Sequence, residues 1–133
     1  SLNTARTKGA DAAVKSNLAN IRPQSEILYD TNGGYGVDST PTAFALGLCA
    51  NTADTLFADP TVWGQVTAAK NAAGGLASCV SSVIGGGAWA VAAHLKTAGQ
   101  SLCVDSTFRA DQEAVADQLQ ATLNASINGT ACD

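Results

Sequence analysis

The chain has 133 residues, enough for one domain that buries roughly two-thirds of the surface its unfolded form exposes. Seven Lys and Arg against eleven Asp and Glu give a net charge of −4, so no basic surface able to neutralise many phosphates dominates, and nucleic-acid binding is not expected. No apolar run approaches the ~20 residues that span a bilayer; no signal peptide stands at the start, which leaves a cytosolic chain or one already processed or trimmed.

The first element is an amphipathic helix over residues 5–30. Ala10, Val14, Leu18, Ile21 and Leu28 recur at helical spacing and share one face. Arg6, Lys8, Asp11, Lys15, Asn17, Asn20 and Glu26 surround that face and favour water. Asn32-Gly33-Gly34 stops the helix, because glycine takes the left-handed conformation at a C-terminus without steric cost. Helix-compatible polar residues already stand at Ser1, as in a longer helix that has been cut.

A loop rich in Gly and Pro follows over residues 31–42, and Phe44 to Cys49 is a short apolar segment that suits either a strand or a helical turn. Asp59-Pro60 reads as an N-cap with Pro at the first helical position, and Val62, Val66, Ala69 and Ala73 continue that helix to Gly74-Gly75. Ser78 to Ile84 is β-prone and Gly85-Gly86-Gly87 is a turn. In Ala88 to Lys96, Trp89, Val91, Ala93 and Leu95 alternate with Ala90, Ala92, His94 and Lys96, the period of a strand. A second strand, Gln100 to Asp105, follows closely enough to form an antiparallel hairpin. Val115, Leu119, Leu123 and Ile127, four apart, predict a last helix over 109–127. The fold class expected is α+β, with a long N-terminal helix, a small antiparallel sheet and additional helices in a single domain.

Cys49, Cys79, Cys103 and Cys132 are widely spaced, with no C-x-x-C pair and one His in the chain. Zinc ligation is poorly supported by such spacing, and two disulfides formed in an oxidising compartment fit better than four buried thiols. Four cysteines permit three pairings.

The series Thr4-Ala5-Arg6-Thr7-Lys8-Gly9-Ala10-Asp11-Ala12-Ala13, Leu18-Ala19-Asn20-Ile21-Arg22 and Leu28-Tyr29-Asp30-Thr31-Asn32-Gly33-Gly34-Tyr35 resembles the exposed half of the N-terminal helix of type IV pilins and type II secretion pseudopilins. Ala88-Trp89-Ala90-Val91 with Leu102-Cys103-Val104-Asp105-Ser106-Thr107 resembles the sheet hairpin of that group, and Cys132 is similar to the cysteine that closes its disulfide-bounded C-terminal region. The resemblance implies one pilin-like domain over 1–133, with residues 1–30 as the exposed half of the helix and 103–132 as the bounded C-terminal region. It favours the pairs Cys49–Cys79 and Cys103–Cys132, each contributing roughly 3–4 kcal/mol by restricting the unfolded chain. It also implies that Val14, Leu18, Ile21 and Leu28 pack the helix on the sheet against Trp89 and Val91. A hydrophobic first half of the helix, which the family carries, is expected upstream, behind a short basic leader ending in Gly.

What the resemblance implies about function is a structural role. The chain would be a subunit of an extracellular type IV pilus, held in the inner membrane before assembly. Its partners would be copies of itself and other pilins through the upstream helix; adhesion, motility or DNA uptake would follow from the filament. A type II secretion pseudopilin is the alternative within the family. A secreted disulfide-bonded binding module or hydrolase is the alternative of another class.

No catalytic, cofactor or metal site is expected. Asp30-Thr31-Asn32-Gly33-Gly34 offers oxygens suited to calcium, but Gly34 and Pro41 stand where further ligands belong, so a helix-ending turn is the better reading. Ser101, His94 and Asp105 are the residue types of a hydrolase triad; the local sequence lacks a nucleophile elbow, and His94 is expected on the solvated face in a passive role. Gly85-Gly86-Gly87 lacks the Lys and Ser/Thr of a phosphate loop. Trp89 is expected in the core and Trp63 half exposed. Asn124-Ala125-Ser126 and Asn128-Gly129-Thr130 match the glycosylation sequon and carry little weight as sequence alone.

Overall fold

A computed structural model describes residues 1–84 and 87–133. The N-terminal helix forms in two segments, α1 (Leu2–Ala19) and α2 (Ile21–Asn32), with a turn at Asn20 between them. Gly33 ends α2 at φ 78°, its N–H returning to the Tyr29 carbonyl at 2.8 Å. The calcium-like segment 30–34 is therefore the closing turn of a helix. Helix α3 (Pro60–Ala73) starts as its sequence dictates: the Asp59 carboxylate accepts the Val62 N–H at 2.9 Å and Pro60 fills the first helical position.

Five strands form one antiparallel sheet in chain order: β1 (Phe44–Leu48), β2 (Ala77–Ser82), β3 (Ala88–His94), β4 (Gln100–Asp105) and β5 (Ala110–Ala114). The expected β3–β4 hairpin is present, with Val91 opposite Val104 and His94 opposite Ser101. Gly85 and Gly86 of the expected glycine turn lie outside the described residues. The segment 109–127 is not one helix. Its first part is β5, paired along β4, and only Gln120–Asn124 (α4) is helical, followed by the small hairpin β6 (Ile127–Asn128) and β7 (Ala131–Cys132). The four-residue spacing lost to the sheet: β4 offers an open row of backbone donors and acceptors that an adjacent segment satisfies. Leu119, assigned to the helix's apolar face, is 63% exposed.

Each face of the sheet is covered. On the first, Val14, Leu18 and Ile21 join Val62, Val66, Trp89, Val91 and Val104 in one buried cluster, and Leu28 packs half-buried at its margin. The long helix reaches the sheet largely through α3: α1 lies along α3 and touches the sheet at β4, and α3 lies on β3. On the second face Val80, Ala90, Ala92 and Cys103 pack against Leu123, Ile127 and Cys132 of the C-terminal segment. Two disulfides are present: Cys49–Cys79 links the end of β1 to its neighbour β2 within the sheet, and Cys103–Cys132 joins β4 to β7 of the covering C-terminal segment. These are the pairs that the resemblance favours.

Candidate functional site

The polar residues of greatest chemical interest lie on the second face, beneath the C-terminal segment. Period-two alternation sends Trp89, Val91, Ala93 and Leu95 into the first core and Ala90, Ala92 and His94 to the opposite side. That opposite side is not solvent. His94 is 0% exposed, a correction to its expected place on the solvated face. The alternation gives the face correctly, but residues 120–132 fold back over it. Lys96, expected beside it on the same face, is exposed beyond the end of β3.

The His94 ring is held by the α3–β2 connection. Its Nδ1 accepts the Leu76 N–H at 3.3 Å, and Gly75 packs so close that a Cβ there would stand 2.9 Å from the His94 Cβ. Accepting at Nδ1 places the proton of the neutral ring on Nε2, which is buried and has no protein partner among the described residues. Burial pushes the imidazole below its ordinary pKa of 6.5, against an opposing pull from the Asp117 carboxylate.

Ser101 sits opposite His94 in the hairpin register, but its hydroxyl pairs with the Ser126 hydroxyl at 3.3 Å. Asp105 is at the far end of β4, opposite Ala90. Its Oδ1 accepts the Thr107 N–H at 2.8 Å, the Thr107 hydroxyl at 2.7 Å and the Arg109 N–H at 3.2 Å; its Oδ2 accepts the Cys132 N–H at 2.8 Å. Burial drives this carboxyl up, and the hydrogen bonds from Thr107, Cys132 and Arg109 more than offset it, leaving the pKa below 3.8. The three triad-type residues are thus brought to one face, with Ser101 directly across the hairpin from His94 and Asp105 apart from both at the far end of β4. Each is occupied in structure: His94 with a backbone amide, Ser101 with Ser126, and Asp105 with the β4–β5 turn and β7.

Beside them, the Ser78 hydroxyl donates to the Asn124 side-chain oxygen at 2.6 Å, and Gln120 donates to the same oxygen at 3.0 Å, fixing α4 to β2. Arg22, at the start of α2, donates from Nε to the Asp105 carbonyl at 3.2 Å and from Nη2 to the Arg109 carbonyl, with its guanidinium 5.9 Å from the Phe108 ring. Phe108 occupies φ 70° at this turn and is 74% exposed. Arg109 in turn donates from Nη1 to the Cys132 carbonyl at 2.7 Å. The resulting cluster of Arg22, Asp105, Arg109 and the Cys103–Cys132 disulfide ties the N-terminal helix, the β4–β5 turn and the C-terminus together.

Sequence reasoning missed the Arg22 and Arg109 roles, because their partners are backbone carbonyls about which side-chain patterns say nothing. The Asp105 turn had a local signal, Asp followed two residues later by Thr, the pattern of a side chain folding back on its own backbone. Trp89 is fully buried and Trp63 half-buried against the first core. The described residues enclose no pocket and bring no group of three metal-ligating side chains together. No family model, curated protein or solved structure matches the chain.

Proposed function

We propose that this domain is the head of a type IV pilin, a structural subunit of an extracellular filament, with a type II secretion pseudopilin as the alternative within the same family. The observation that carries the reading is the disposition of α1. Residues 2–6 are exposed, partial burial starts at Thr7 and full burial at Val14, so the first turn stands clear of the body. A helix end held out from its own core is suited to continue into a further helical segment that others of its kind would bury. The Cys103–Cys132 disulfide supports the same reading, since it bounds the C-terminal region as the resemblance implies.

The physical logic is that of a building block. An apolar helix preceding α1 would sit in the inner membrane, then among its copies in the filament core. The disulfide-bonded head would shield that core. Adhesion, motility or DNA uptake would belong to the assembled filament, and no step of chemistry is assigned to this domain. The test is to shear the surface of the cells that express the full chain and analyse the filament fraction by mass spectrometry. The chain is expected among the components of that fraction and should vanish from it when its gene is deleted. Recovery only as a free, unassembled secreted protein would point to the binding-module class instead.

A further inference from the structure

We propose that Asn128 is an acceptor for an N-linked glycan and that the fold reserves modification for it over Asn124. The chain contains two sequons, Asn124-Ala125-Ser126 and Asn128-Gly129-Thr130. As sequence they are equivalent; as structure they are opposites. Transfer requires the acceptor carboxamide and the hydroxyl two residues on to enter one enzyme site together, so both must be reachable from solvent.

At the first sequon the hydroxyl is not, and the carboxamide, though half-exposed like Thr130, is tied down. The Asn124 oxygen is bonded by the Ser78 hydroxyl and the Gln120 side chain, and Ser126, 3% exposed, pairs with buried Ser101. Presenting that sequon means lifting α4 off β2 and exposing Leu123 and Ile127, which are 0% and 5% exposed. The second sequon spans the tip of the β6–β7 hairpin. Asn128 pairs with Ala131 through a two-residue loop, with Gly129 at φ 65° in the first loop position, where glycine meets the left-handed requirement without strain. Asn128 and Gly129 are exposed and Thr130 is half-exposed; among the described residues neither the Asn128 nor the Thr130 side chain makes a hydrogen bond.

The base of this hairpin is fixed as firmly as its tip is free. Ile127 is buried in the second core, and Cys132, opposite it, is bonded to Cys103. A bulky polar group at Asn128 therefore displaces no core side chain. Chemically, the Asn128 amide nitrogen would form a bond to the anomeric carbon of a polyprenyl-pyrophosphate-linked oligosaccharide. The carbon–oxygen bond to phosphate breaks, the polyprenyl pyrophosphate leaves, and an amide proton passes to solvent.

The experiment treats the folded, oxidised protein with a purified single-subunit oligosaccharyltransferase and a lipid-linked oligosaccharide, and maps the product by peptide mass spectrometry. Glycan is expected at Asn128 alone. Asn128→Gln and Thr130→Ala should abolish it, Thr130→Ser should restore it, and Asn124→Gln should leave it in place. After reduction and unfolding, both sequons should be modified, which shows that the fold and not the local sequence makes the selection. Absence of glycan from the folded protein, or equal occupancy of Asn124, would overturn the proposal.

Discussion

Asp11 on α1 and Thr97 in the turn between β3 and β4 lie 86 residues apart in the chain and are bound to each other twice, through the Thr97 N–H at 3.1 Å and through its hydroxyl. The same carboxylate also accepts the Lys96 N–H at 2.6 Å. This contact fastens the helix to the sheet one turn before its buried residues begin at Val14. Charge-assisted hydrogen bonds at a part-exposed site should be worth about 1–2 kcal/mol together. Asp11→Ala should lower the urea midpoint correspondingly, whereas Lys8→Ala, on the exposed face, should not. Equal midpoints for Asp11→Ala and the parent chain would mean that the helix is held by its apolar face alone.

His94 makes the fold acid-sensitive in a defined direction. A buried imidazole whose folded pKa lies below 6.5 is neutral when folded and must gain its proton on unfolding. Its contribution is complete above about pH 6.5 and is lost as the pH falls from there through the lower folded value. Urea unfolding should therefore give lower stability at pH 5 than at pH 7.5, and His94→Gln should flatten that part of the profile. His94→Ala should cost on the order of 2 kcal/mol at pH 7.5, as a large-to-small change in a packed core. A cost near zero would place the ring outside the core.

Asp105 and the disulfide beside it should act together. Asp105→Ala leaves the N–H groups of Thr107, Arg109 and buried Cys132 without their acceptor and should cost on the order of 3 kcal/mol. Its lowered pKa adds a second acid-sensitive step: the carboxylate's contribution is present above the unfolded value of 3.8 and is lost as the pH drops through the folded one. Replacing Cys103 and Cys132 by Ser opens a link between residues 29 apart and should cost about 3–4 kcal/mol. Because the Cys132 N–H belongs to both, the combined variant should lose less than the sum of the two costs. Full additivity, measured by a double-mutant cycle in urea, would show that the two act independently.

Local signals made much of this fold legible. The Asp59-Pro60 cap, the Gly33 terminus and the alternation through Trp89, Val91, Ala93 and Leu95 each state their structure within a few residues. The segment after Arg109 was not legible, because its helical spacing competes with a partner strand distant in its demands though close in sequence. His94 was misplaced for a related reason. Alternation says which side of a strand a residue occupies, but not whether a later segment covers that side. The two sequons could be separated only once Asn124 was seen to be bonded to Ser78.

The proposed pilin role requires α1 to continue from this head into a filament. The most direct measurement is a cryo-electron microscopy reconstruction of the native surface filament from cells expressing the full chain. The expected map shows this head in the outer layer, with α1 extending unbroken from Leu2 into a helical core and the β6–β7 hairpin facing solvent. A filament whose subunits lack this head, or a head present with α1 ending free of the core, would contradict the pilin role.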